Sequence, residues 1–226
     1  MKKIGLIVAA EKECENLLKK LGKCKIISLY EDFCVKKFKY KGVEIYFAAC
    51  GIGELRAAVC VQRLVDNFGV QAIINFGVAG GLKRGTRGNI YIVSGVAHYD
   101  YDTTAIDNVT LGQYDIFDSP VISTNEYICN VAGFILPSAE YAVCASGDKF
   151  ITDPTVKDNL ISEFGATVCD MESAGVLIAS KLCDLPCGIF KIVSDDAADP
   201  NDYYDFLKNM TDALNDLILK LVERLR

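Results

Sequence analysis

The last third of the chain alternates apolar runs with acids in a way that leaves few folds open to it. Ala166-Thr167-Val168-Cys169 leads into Asp170-Met171-Glu172. After an apolar helical stretch over residues 173–184, Gly188-Ile189-Phe190-Lys191-Ile192-Val193-Ser194 leads into Asp195-Asp196. Read as strand, helix, strand, the segment predicts a right-handed crossover that brings both strand ends to one edge of a parallel sheet, where acids face the usual binding crevice. Short apolar runs at 3–9, 72–76, 89–96 and 141–145 predict further buried strands. Residues 24–29, 34–40 and 43–49 read as antiparallel strands, the last two joined by a turn at Lys41-Gly42. Helices are predicted over 11–21, ended by Gly22; over 54–68, opened by Gly51-Ile52-Gly53; and over 155–164, behind an Asp153 cap and Pro154. A long final helix carries Leu207, Met210, Leu214, Leu217, Ile218, Leu221 and Leu225 as one apolar stripe, with Asn201 or Asp202 as its cap. Residues 97–120 lack periodicity and predict a loop that carries function or an interface.

With 226 residues, 51% hydrophobic and 24% charged, the chain fits one compact α/β domain spanning 1–226, with no visible linker. Its 24 Lys and Arg are scattered and its net charge is −6, which argues against a nucleic-acid partner or an anionic membrane and for a small neutral or cationic ligand. Met1-Lys2-Lys3 before the apolar run has the look of a signal start, but the run ends after seven residues at Glu11-Lys12-Glu13 and reads as a first buried strand. The ten cysteines mostly lie inside apolar runs and form no CxxC, so they read as small core hydrophobes in a reducing cytosol. One histidine, His98, in a polar segment leaves neither a base for a thiol nucleophile nor a metal ligand set, and no cofactor is expected.

Three places carry candidate chemistry. Gly77-Val78-Ala79-Gly80-Gly81 reads as a tight turn after a strand, or as a cradle where a ligand approaches backbone N–H groups; it matches neither the dinucleotide nor the Walker pattern. Glu11-Lys12-Glu13 reads by default as the charged first turn of a helix, but the first strand should lie centrally, so its carboxyl end opens on the crevice that holds Glu172 and Asp195. Of Asp195 and Asp196, adjacent along extended backbone, at most one faces that site. Phe150 reads from spacing as core filling, with an aromatic platform for a flat ring as the other option, and Met171 reads as packing.

Taken in order, six stretches resemble the purine nucleoside phosphorylase and nucleosidase superfamily, and within it the methylthioadenosine/S-adenosylhomocysteine nucleosidases. They are Ile4-Gly5-Leu6-Ile7-Val8-Ala9-Ala10-Glu11-Lys12-Glu13, Ala49-Cys50-Gly51-Ile52-Gly53, Asn75-Phe76-Gly77-Val78-Ala79-Gly80-Gly81, Ser146-Gly147-Asp148-Lys149-Phe150-Ile151, Asp170-Met171-Glu172 and Val193-Ser194-Asp195. The resemblance implies a three-layer α/β/α fold around a twisted, mixed, partly barrel-like sheet, a homodimer, and hydrolysis of the N-glycosidic bond of an adenine nucleoside. By that resemblance Asp195 is the acid that protonates the leaving base, Glu13 the base that activates water, and Glu172 the clamp on the ribose hydroxyls. Phe150 stacks on the base, Ile151 offers backbone contacts to its edge, Met171 packs on ribose, and Ala79, Gly80 and Ser194 complete the substrate-binding set. Phosphorolytic relatives hold phosphate with arginines, one near an early Gly-Asp-Pro turn; Ala-Ala-Glu-Lys-Glu stands there in this chain, and a carboxylate repels phosphate. A phosphate-dependent purine nucleoside phosphorylase is the alternative, and a catalytically idle nucleoside-binding protein the rival from another class. Lys191 stands where the family usually has arginine and cannot reproduce a forked contact in support of Asp195. Val78 replaces a usual hydroxyl residue, removing one hydrogen bond to water or sugar. The segment 97–104, near which the pocket for the sugar 5′ substituent is built, follows the family only in part.

Overall fold

The computed structural model describes residues 1–30, 33–106, 109–195 and 211–226, the side chains of Tyr30 and Asp195 excepted. In chain order the strands are β1 (Lys3–Val8), β2 (Lys25–Tyr30), β3 (Phe33–Tyr40), β4 (Val43–Ala49), β5 (Ile73–Gly81), β6 (Ile90–His98), β7 (Val121–Ser123), β8 (Glu140–Ser146), β9 (Val168–Asp170) and β10 (Cys187–Asp195). The helices among them are α1 (Glu15–Leu21), α2 (Glu54–Phe68), α3 (Glu126–Ile135), α4 (Pro154–Phe164), α5 (Ser173–Leu182) and α6 (Asp212–Arg224).

Alternation along the strands sets the layers. Ile4, Leu6 and Val8 of β1 turn to one face with Ile45, Phe47, Ile74 and Phe76, where α1, α3 and α6 supply Leu17, Ile128, Leu217 and Leu221. Ile7 turns to the other face, where α2 and α5 cover the sheet with Cys60, Leu64, Val176 and Leu177. The sheet runs β10-β6-β8-β9-β5-β1-β4-β3-β2, with β7 added on β6. Because β10 also pairs with β5, strands β5, β10, β6, β8 and β9 close into a barrel. The mixed, partly barrel-like three-layer fold that the resemblance implied is therefore present.

Several elements differ from the sequence reading. β10 runs parallel to β5 and β9 antiparallel to it, so the two strands flanking α5 are not parallel neighbours; they meet across β5, where Gly80 pairs with Asp195 on one side and Cys169 on the other. The predicted Gly-rich turn at 77–81 is the second half of β5, because residues lacking bulk let a strand bend and still pair on both edges. The predicted helix over 11–21 is a single 3-10 turn at Glu11–Glu13, a break at Cys14, and then α1. β7 and α3 have no counterpart among the elements that the sequence predicts, although Asn125 caps α3 by accepting the Ile128 N–H at 3.0 Å. Asp196, the cap at Asn201 or Asp202, and Leu207 and Met210 lie outside the described residues; Leu214, Leu217, Ile218, Leu221 and Leu225 form the expected buried stripe. None of the ten cysteines is paired in a disulfide; Cys24 and Cys34 are exposed, Cys183 is partly so, and the other seven are buried.

Candidate active site

The break at Cys14 (φ −141°, ψ 24°) lets the turn after β1 aim Glu13 inward instead of along a helix surface. Glu13 is only 3% exposed. Its Oε1 accepts the Ala10 N–H at 3.1 Å and its Oε2 accepts the Val78 N–H at 3.1 Å. The site thus uses the backbone of Val78, where the sequence pointed only to a lost hydroxyl. Gly77 makes the approach possible: its φ is 149°, and a Cβ there would collide with Glu13 Oε2. Burial raises the Glu13 carboxyl above its ordinary value, against the Val78 N–H, the charge of Lys191 and the Ala10 N–H.

Glu172 sits at the N-cap of α5, 6% exposed, where its Oε1 accepts the Gly53 N–H at 3.2 Å. Gly53, at φ 110°, caps α2, so one hydrogen bond ties the starts of two helices to one carboxylate. Burial first, then the charge of Asp170, pushes Glu172 up to about 7, with Lys191 opposing.

Between these acids lies a group whose partner the sequence did not reveal. Lys191 is buried, and its Nζ stands 2.7 Å from Asp170 Oδ2. Asp170 also accepts from Ser146 Oγ at 2.6 Å, Ser173 Oγ at 2.5 Å and the Ser173 N–H at 3.3 Å. Burial alone would raise Asp170, but the Lys191 charge and these hydrogen bonds outweigh it and hold the carboxylate ionised. The sequence put local support of Asp195 by Lys191 in doubt; among the described residues the ion pair that Lys191 makes is with Asp170. Exchanging arginine for lysine therefore leaves a complete contact, because a single carboxylate oxygen suffices for a point charge.

Glu13, Glu172, Met171, Ala79, Gly80, Ser194, Phe150 and Ile151 line one cavity of about 380 Å³, with Asp170, Val78, Ile52, Lys12 and Lys149 among the others. Ser194 Oγ donates to the Ala79 carbonyl at 3.3 Å. Phe150 is 57% exposed and forms cavity wall, not core, whereas Ile151 is buried. Asp195 ends β10 in register with Gly80, a residue that lines this cavity; the Asp195 side chain lies outside the described residues. His98 closes β6, its Nδ1 2.6 Å from Tyr114 Oη and its Nε2 3.0 Å from Asp100 Oδ1. Tyr101 stacks on Tyr114 at 3.9 Å, and Asp100 Oδ2 accepts the Asp148 N–H at 3.0 Å, which fastens the aperiodic loop to the segment bearing Phe150. Among the described residues no group of three or more His, Cys, Asp or Glu is placed to hold a metal ion.

Buried carboxylates at the floor of an apolar cavity in a barrel-centred α/β sheet describe an enzyme site of the nucleoside-processing kind. The family model described as the Phosphorylase superfamily matches residues 3–225, and the chain belongs to that superfamily. It is 29% identical over 193 residues to the aminodeoxyfutalosine nucleosidase of Campylobacter jejuni, covering 83% of this chain and 84% of that one. It is 30% identical over 200 residues to the 5′-methylthioadenosine/S-adenosylhomocysteine nucleosidase of Maridesulfovibrio salexigens, covering 85% of each. Its fold matches the crystal structure of the Helicobacter pylori 5′-methylthioadenosine/S-adenosylhomocysteine nucleosidase with butyl-thio-DADMe-Immucillin-A, with a TM-score of 0.92 and 26% identity over 99% of each chain.

Proposed function

We propose that the chain hydrolyses the N-glycosidic bond of adenine nucleosides such as 5′-methylthioadenosine and S-adenosylhomocysteine, releasing adenine and the thio-ribose. The observation that carries this reading is Glu13: a buried carboxylate, fixed by two backbone N–H groups, facing the cavity that Glu172 shares. A carboxylate there accepts a proton from water and repels a phosphate dianion, and among the described residues no arginine lines the cavity. Water attacks C1′ as the bond to the base breaks; Glu13 takes the water's proton, and Asp195 delivers one to purine N7 so that adenine departs neutral. The sugar becomes oxocarbenium-like, and Glu172 grips its hydroxyls while adding negative charge that counts most in the transition state. Lys191 does not oppose that cation, because Asp170 neutralises it at 2.7 Å. Phe150 stacks on the departing base, Ile151 meets its edge, Met171 packs on ribose, and Ala79, Gly80 and Ser194 line the floor.

Exposed Ile52, Leu55 and Val59 run along one side of α2 from the cavity's rim, an apolar strip that a second copy of the chain covers in a homodimer. Ten cysteines without a disulfide suit a cytoplasmic protein, and the reaction suits salvage of methionine-derived thio-nucleosides. The whole of 1–226 acts as one domain.

The deciding experiment incubates the protein with methylthioadenosine, S-adenosylhomocysteine, an aminodeoxyfutalosine-type nucleoside and inosine, with and without phosphate. Free sugar and adenine in phosphate-free buffer are expected; strict phosphate dependence with a sugar 1-phosphate product would overturn the reading. Because Glu172 is raised to about 7, kcat/KM should fall below that pH by about tenfold per unit, and Glu172→Gln should remove that step, leaving an acid limb set by the raised carboxyl of Glu13.

A further inference from the structure

Glu54, the first residue of α2, is 6% exposed and has no part in the mechanism above. Its carboxyl spans two elements: Oε2 accepts the Gly175 N–H in α5, and Oε1 lies against Ser146 Oγ at the end of β8. Gly175 is what permits this approach, since a Cβ there would run into the Glu54 carbonyl oxygen. Counting hydrogens around Ser146 settles who donates. Ser146 Oγ carries one hydrogen, already accepts the Ala174 N–H at 3.0 Å, and touches two carboxyl groups, Glu54 and Asp170, the latter at 2.6 Å. One hydroxyl hydrogen cannot serve both. Asp170 is the ionised member, because Lys191 Nζ, Ser173 Oγ and the Ser173 N–H all point donors at it. A proton must therefore reside on the other carboxyl.

We propose that Glu54 is a positioning residue held as a neutral carboxylic acid, donating its proton to Ser146 Oγ and clamping the start of α2 to the start of α5, so that the Gly53 N–H stays aimed at Glu172. Ser146 in turn donates to Asp170, which completes a chain Glu54–Ser146–Asp170–Lys191 in which each link is one donor to one acceptor. Burial first, then the charge of Asp170, raises Glu54 to about 8, with Glu172 adding to the shift and the Ser146 and Gly175 contacts opposing it. Among the described residues Asp148 Oδ1 accepts the Glu54 backbone N–H at 2.9 Å, and the Tyr99 and Tyr114 hydroxyls, both raised chiefly by burial and so neutral, also sense the Glu54 charge. The inference rests on Glu172 acting as the ribose clamp.

Glu54→Gln, whose amide donates to Ser146 and accepts from Gly175, should keep kcat/KM and its pH profile. Glu54→Ala should lower kcat/KM about tenfold, chiefly through KM. In a Glu172→Gln background the Glu54→Ala loss should largely vanish, because both changes act on one contact. A proton retained only in the folded state also makes folding less favourable as pH rises from 4.5 to about 8, a loss that glutamine lacks. The Tm of Glu54→Gln relative to the parent should therefore climb across that window, a readout available even if the alanine variant does not fold. Overturning results are a Glu54→Gln variant as impaired as Glu54→Ala, a flat Tm difference across the window, or fully additive losses with Glu172→Gln. If Glu172→Gln alone leaves hydrolysis intact, the clamp reading fails, whereas the Tm comparison still reports the protonation of Glu54.

Discussion

The two walls of the cavity are finished to different degrees. On the wall of Glu13 and Glu172, three carboxylate oxygens already accept backbone N–H groups and the cation Lys191 is already paired. On the wall of Lys149 and Phe150, the side chains are exposed, with the Phe150 ring more than half open to solvent. The chemical wall is preorganised, which is where fixed dipoles and charges contribute most to a transition state. On the proposed assignment the exposed wall is the one that meets the nucleoside, so its residues should govern KM more than kcat.

That contrast breaks most easily at Glu13. Glu13→Gln keeps the shape but cannot take a proton, and steady-state kinetics should show kcat down by about 10²–10⁴-fold with KM nearly unchanged. An equal rise in KM would mean that both walls serve binding. Next in size is Lys191→Met, which strands Asp170 as an unpaired buried charge; urea unfolding should report a loss of about 3–5 kcal/mol. Gly77→Ala should follow, because the added methyl displaces Glu13 from the Val78 N–H, with kcat down by roughly 10–100-fold. Phe150→Ala is the smallest and the sharpest discriminator. It should raise KM by about 2- to 10-fold, leave kcat close to the parent, and change unfolding free energy by less than about 0.5 kcal/mol because the ring is exposed.

Buried strands with short apolar runs were legible along the chain: β4 (Val43–Ala49) and α2 (Glu54–Phe68) fall at their predicted bounds, and Asp153 caps α4 by accepting the Thr155 N–H at 2.8 Å. Less was legible where glycine carried the message. Gly77 and Gly80 look like turn residues in a one-dimensional string, yet they lie in a strand because β10 and β9 flank β5 there. α3 was missed although Asn125 and the spacing of Ile128, Cys129 and Ala132 carried a cap and a buried face. Phe150 inverted its reading, since spacing favours core for an aromatic that the fold leaves at the cavity rim.

By itself the sequence determined which segments are buried strands and which acids stand at their ends, because apolar periodicity and caps are local properties of the chain. It also carried the order of six motifs that ties the chain to its superfamily. Tertiary structure alone decided that β9 and β10 meet across Gly80, that Lys191 pairs with Asp170, and that Glu54 reaches Ser146 and Gly175. Those contacts join residues between 21 and 121 positions apart, on elements whose register is set by barrel closure. No local pattern encodes which buried donor will face which buried acceptor until the backbone has closed around them.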